Sequence, residues 1–438
     1  MQDFKRDKEL LSMQDKKEDG ENLLEANKLI YTSPKNLSTT SMRTLRRYDS
    51  MKTDYTSNSG SMIFYIQSGS SFVDFRNSVL RFKFYHSASD GKDLGWGIGS
   101  SLNIIRDIII TTRSGTELGR IQRANVYYAQ RDRQRLSREQ ILSVGSLIGY
   151  KVDDSATIAN IDKDTNSLVD ATSEAKAVDY TVPLSHLHGL FDTDQLAPAA
   201  LASGLKIELF LETPATALFA SDGSNVTQYN ITTPYILCDC HMLNDDTARK
   251  LAQISARSGL EYMYRATHMN SDSGIKSVFN VESNKASSRA LGGMIVPRAI
   301  NALGDVKKDS MRAQSYTGDS EGKVKDVVEY QMRLGSSYFP FQAVRGQSEA
   351  YFNQLYSNGK LGKHSSLIDA RRYQSYASTY NALFETSDVI ANSGLAVNNS
   401  QNLTTNVKYA DTTESDLSLF LDFTMLIRIF PSNVVVFD

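Results

Sequence analysis

Several short clusters along the chain combine residue types that could do chemistry, and each fails on spacing or context. Gly318-Asp319-Ser320-Glu321-Gly322 fits the G-x-S-x-G arrangement that exposes a nucleophilic serine. Such an elbow needs an apolar strand before it and a helix after it. This pentapeptide sits in a polar stretch with no convincing histidine partner and reads as loop. Asp162, Asp164 and Asn166 open like a calcium loop, with oxygen ligands at alternate positions. Ser167 then stands where the turn glycine belongs, Ser173 where the bidentate acid belongs, and Glu174 comes one position late. His186 and His188 with Asp192, and separately Cys238 and Cys240 with His241, bring metal-ligating atoms close in sequence. Neither group supplies a complete tetrahedral set. Gly95-Trp96-Gly97-Ile98-Gly99-Ser100 lacks the third spaced glycine of a phosphate-cradling loop and precedes no clear helix. The expectation is therefore no enzyme: no catalytic, cofactor-binding or metal residues, no cofactor and no small-molecule substrate.

Composition narrows the class further. The chain has 438 residues, comfortable for two β domains, and carries 48 Lys+Arg against 50 Asp+Glu. So balanced a charge excludes binding nucleic acid or anionic lipid by bulk attraction. Cys238 and Cys240 are the two cysteines. Two apart on one strand, they are separated by about 6.5 Å, too far for an ordinary disulfide, and the chain reads as reduced and intracellular. The mixed-charge N-terminus is no signal peptide, and no stretch approaches the roughly 20 apolar residues of a membrane span.

The elements follow one plan twice. An extended hairpin runs Asn103–Ile110, turns at Ser114-Gly115 and leads into a short helix with the aromatic pair Tyr127-Tyr128. Its counterpart runs Val327–Leu334, turns at Gly335-Ser336, resumes through Tyr338-Phe339-Pro340 and enters a helix with Tyr351-Phe352. The aromatic pairs suit helix-to-sheet packing better than base stacking. Leu205–Leu211 and Leu417–Phe423 are matched as closing strands of the two halves. Val152–Asp179 and Gly304–Lys325 are polar and too long for ordinary turns, so they read as exposed projections. Asn244-Asp245-Asp246 offers N-caps and Gly259 a stop for a helix between the halves. Val434–Phe437, an apolar strand, is expected to be interior or covered. Before the first half, residues 1–59 are too polar to fold alone. Within them Leu10, Leu11, Leu23, Leu24 and Ile30 form a weak helical pattern and Arg43, Arg46 and Arg47 a basic cluster. These eight residues are the candidates for assembly contacts through an arm.

The order of these features resembles that of the double jelly-roll major capsid proteins of eukaryotic DNA viruses, of the polinton-like virus and virophage type, and more distantly those of the large nucleocytoplasmic DNA viruses. The carriers are Ser71–Phe82, Ser101–Ile105, Ser114–Leu118, Pro183–Leu187 and Tyr330–Pro340, over roughly Ser61 to Asp438. The resemblance implies an all-β chain of two consecutive jelly-roll sandwiches with short inserted helices and a flexible N-terminal arm. The expected division is 1–59 arm, 60–244 first jelly roll, 245–258 linker helix and 259–438 second jelly roll. It also implies a capsid protein whose homotrimers form pseudo-hexagonal capsomers tiling an icosahedral virion shell, assembled inside the host cell. Partners would be the chain itself, neighbouring capsomers, penton and minor or cement proteins, with the genome or an inner membrane open to the arm. A single jelly-roll shell or trimeric attachment protein with a projection, and a carbohydrate-binding or carbohydrate-active sandwich, are the competing readings.

Overall fold

Strict alternation in Val79–Tyr85 and Leu205–Leu211 demands sheets with one face in a core, and two such sandwiches are present. The computed structural model describes residues 40–87, 94–150, 168, 170–220, 226–283, 285–313, 327–345, 347–357, 380–383, 395–397, 402–431 and 433–437. The chain divides into two units, residues 1–41 and 42–438, and of the first only Thr40 and Ser41 are described. Leu10, Leu11, Leu23, Leu24, Ile30, Asp162, Asp164, Asn166 and the pentapeptide 318–322 lie outside the described residues.

In the first sandwich the main strands are β1 (Thr40–Asp49), β2 (Ser61–Ile66), β3 (Phe72–His86), β4 (Ile105–Thr111), β5 (Glu117–Ile121), β6 (Val178–Pro183), β7 (Leu205–Leu211) and β8 (Tyr229–Leu243). One sheet has the order β1-β8-β3-β6, joined by the short strand Asp54–Thr56 on β8, and the other β2-β7-β4-β5. Every pairing is between strands distant in sequence except the β4–β5 hairpin. Inward side chains such as Phe64, Phe84, Ile108, Ile207 and Ile236 fill the core between the sheets. Helix α1 (Ala124–Arg135) follows β5.

Helix α2 (Asp245–Arg257) leads to the second sandwich, with Gly259 taking a positive φ of 77° just beyond it. Here the strands are β9 (Leu260–Ser283), β10 (Ser287–Ala299), β11 (Val327–Leu334), β12 (Ser337–Val344), β13 (Tyr380–Leu383), β14 (Leu403–Ile429) and β15 (Val434–Phe437). Helix α3 (Gln347–Ser357) follows β12 as α1 follows β5. Strands β9 and β14 pair along almost their whole length, with a register shift between Lys276 and Val278. Either side of that shift each does the work of two strands. The segment 260–276 pairs with 413–429, which also pairs with β10, and β10 with β13. The segment 278–283 pairs with 403–408, which also pairs with β11, and β11 with β12. Counted this way, both sandwiches share the strand order first-eighth-third-sixth and second-seventh-fourth-fifth.

Three expectations need correction. Leu205–Leu211 is the seventh strand of its sandwich, whereas Leu417–Phe423 lies in the eighth of the other, so the two are not equivalent. Residues 403–409 are the true counterpart. Thr40–Asp49 and Asp54–Thr56 are paired strands of the first sheet, which removes them from the expected arm. Val434–Phe437 pairs with β14 alone among the described residues, leaving Phe437 exposed, so it is an edge strand rather than an interior one.

Candidate functional site: the seam between the sandwiches

Arg123, Tyr127, Arg131 and Arg135 recur every fourth residue and so lie along one face of α1. Across from them, Asp416, Ser418, Phe420 and Asp422 alternate along β14 and point away from the second sandwich's own core, which takes Leu417, Leu419 and Leu421 instead. The two rows meet. Arg123 Nη1 donates to Asp416 Oδ2 at 2.6 Å and to Ser418 Oγ at 2.9 Å, and Arg298 Nη2 reaches the same carboxylate oxygen at 2.7 Å. Asp422 Oδ1 accepts from Thr267 Oγ1 at 2.6 Å and from the Tyr127 hydroxyl at 3.2 Å, while Arg265 Nη2 holds Oδ2 at 2.5 Å and Arg135 stands 3.6 Å away. The Tyr127 ring packs on Phe420 with centroids 5.3 Å apart.

The carboxylates of this seam are buried and paired, whereas the arginines that reach them, Arg123, Arg265 and Arg135, stay partly exposed. Burial alone would raise the Asp422 carboxyl, but the charges of Arg265 and Arg135 and the bond from Thr267 hold it below the ordinary carboxylate range. Arg123 adopts a left-handed backbone conformation, φ 50° and ψ 45°, which costs a non-glycine residue about 1 kcal/mol. Asp107 Oδ1 accepts its backbone N–H at 2.9 Å and so fixes the turn that aims the guanidinium into the seam.

Further contacts extend the seam. The Tyr262 hydroxyl donates to Leu190 O at 3.0 Å, that of Tyr264 to Leu118 O, and Gln130 Nε2 to Met311 O at 2.6 Å. Gly189 has no room for a side chain, since a Cβ there would lie 1.9 Å from the Arg265 carbonyl oxygen. The glycine-rich loop at 95–100 receives the second sandwich. Asp309 Oδ2 accepts from Ile98 N at 2.6 Å, and a Cβ at Gly97 would lie 2.7 Å from that same oxygen. Burial pushes the Asp309 carboxyl up to about 6, with the bonds from Ile98 and Met311 only partly offsetting it.

The residues singled out in the sequence have other roles. His186 faces Asp132, Nδ1 to Oδ2 at 3.8 Å, whereas His188 Nδ1 accepts from Leu190 N at 3.0 Å and Asp192 lies 3.8 Å from Arg76. Burial, then the Arg131 charge, lowers the His188 imidazole to about 4, so it is neutral at pH 7. The structure does not gather these three as a ligand set. Cys238 and Cys240 are free and buried in the core, while His241 is on the opposite face of β8. There its donor atom, with those of Asp74 and Asp239, forms a group within 4.8 Å. Arg43 already supplies the cation, with Nε 2.9 Å from both Asp239 oxygens and Nη2 2.5 Å from Oδ2. Arg46 Nη1 donates to Ser68 O at 2.9 Å, and Arg47 pairs with Asp49 while lying 4.0 Å over the Tyr235 ring. The basic cluster is thus part of the first sheet. The seam itself escaped sequence reading, although the four-residue spacing of Arg123, Tyr127, Arg131 and Arg135 was its visible sign.

No family model matches the sequence, and neither does any curated protein. Solved structures do match in fold. The Faustovirus major capsid protein aligns over 91% of this chain and 92% of its own at 9% identity, with a TM-score of 0.62. The fold is the double jelly roll. The PBCV-1 virus capsid aligns over 93% of this chain and 98% of its own at 10% identity, TM-score 0.60. The mavirus major capsid protein covers 93% of each chain at 11% identity, TM-score 0.53. In this double jelly roll, the helix-bearing side of the first sandwich covers the outward face of the second.

Proposed function

We propose that this double jelly roll is a major capsid protein, a structural protein of the virion rather than an enzyme, and that three copies form a pseudo-hexagonal capsomer tiling an icosahedral shell. The observation that carries this reading is the seam. It joins two sandwiches of one strand order head to tail, the β5 and α1 side of one against the outer sheet face of the other. Head-to-tail contacts between like units close into rings, and three chains bring six sandwiches. The fold shared with capsid proteins of Faustovirus, PBCV-1 and mavirus supports the same reading. On this reading the chain assembles in the host cell, and its partners are its own copies, penton proteins and minor or cement proteins. The residues before Thr40 would act in assembly as an arm that meets neighbouring subunits, the genome or an inner membrane. Multi-angle light scattering with electron microscopy of the purified protein tests it. A homotrimer with hexagonal outline is expected; a monomer at micromolar concentration with no capsomer-like particles would overturn it.

A further inference from the structure

Within the chain, one kind of surface meets another: a fifth strand and the helix after it, β5 and α1, lie on the outer face of a sheet built from first, eighth and third strands. Each kind of surface occurs a second time on the same molecule and is exposed there. The second fifth strand, β12, presents Tyr338 and Phe341, the latter 85% exposed, and α3 presents Phe352 and Tyr356. Those last two rings are stacked, with centroids 6.2 Å apart and planes within 10° of each other. Four exposed aromatic side chains on one strand and its following helix are a binding surface in composition.

The second sheet face of this kind is the outside of β1-β8-β3. On β1 it offers Leu45, 64% exposed, with Arg47 spread over the Tyr235 ring of β8. Guanidinium planes and aliphatic side chains are surfaces on which aromatic rings pack well in partly wet contacts. Its polar layout also repeats that of the seam. In the covered sheet Arg265 of the first strand grips Asp422 of the eighth; in the open sheet Arg43 of the first strand grips Asp239 of the eighth.

We infer that Tyr338, Phe341, Phe352 and Tyr356 dock on the outer β1-β8-β3 face of a second copy of this chain, around Leu45, Arg47 and Tyr235. This assignment rests on the capsomer reading and names the surfaces that join its subunits. The occupant is another copy because the chain already holds the matching pair in its seam, and among the described residues the second surface of each kind stays exposed on the same chain.

The test replaces Phe341 with photoreactive benzoylphenylalanine in the full-length protein and maps the cross-links by peptide mass spectrometry. Cross-links between copies to peptides containing Leu45, Arg47 or Tyr235 are expected. In parallel, Phe341→Asp with Phe352→Asp, and separately Leu45→Asp, should each raise the subunit dissociation constant by at least ~100-fold while leaving the far-ultraviolet circular dichroism spectrum of the folded chain unchanged. If trimers persist undiminished in these variants and cross-links map elsewhere, the surface assignment falls and the capsomer reading stands. If the unsubstituted protein is a monomer at micromolar concentration, both fall.

Discussion

Asp422 is buried and receives Thr267, Tyr127 and Arg265, with Arg135 close by, and removing its carboxylate leaves two partly exposed guanidinium groups facing each other and two buried hydroxyls without their acceptor. Asp422→Ala should therefore destabilise the chain by about 2 kcal/mol, read from the urea unfolding midpoint. Asp309 acts in the opposite sense. Its carboxyl is raised to about 6 against an ordinary 3.8, so between those values the folded chain binds a proton that the unfolded chain has released. Raising the pH through that window costs the folded state up to about 3 kcal/mol, a penalty complete above pH 6 and absent below pH 4. Asp309→Asn should remove this dependence, so that the stability of the variant relative to the unsubstituted chain rises from pH 4 to 7. A difference that stays flat across that range would mean that Asp309 titrates normally.

At the scale of elements, Gly189 and Gly60 separate two effects. Gly189 lies in an ordinary backbone conformation against the Arg265 carbonyl, whereas Gly60 has a φ of 81° and open space around its Cα. Gly189→Ala must push the sandwiches apart and should cost ~2 kcal/mol or more, while Gly60→Ala should cost about 1 kcal/mol from backbone strain alone. Thermal melts of the two variants rank them. The β4–β5 and β11–β12 hairpins with their following helices were legible because they are local: alternation, a glycine turn and a helix start lie within some thirty residues. Strand β1 was not. Its outward Arg43, Leu45 and Arg47 and inward Thr44, Arg46 and Tyr48 resemble a polar linker until β8, nearly two hundred residues later, pairs with it. Leu417–Phe423 was misassigned for another reason. Both its faces are covered, one by the second core and one by the seam, so it loses the alternation that would have marked its place.

For the whole molecule, the boundary between arm and fold has a direct test. Deletion of residues 1–39 should leave the melting temperature of the capsomer almost unchanged and impair shell formation, whereas deletion of 1–50 also removes β1 and the Arg43–Asp239 pair and should lower the melt by several degrees. Differential scanning fluorimetry and particle counts by electron microscopy distinguish the two. The seam carries one more consequence, for the order of synthesis. Arg123 and Arg135 emerge from the ribosome early, but the carboxylates they reach, Asp416 and Asp422, lie nearly three hundred residues further along the chain. Until then the first sandwich waits with hydrated guanidinium groups in place of a partner. A chain released before residue 416 lacks the carboxylates that Arg123 and Arg135 reach, so an incomplete translation product cannot close the joint and keeps an open, basic flank on its first sandwich.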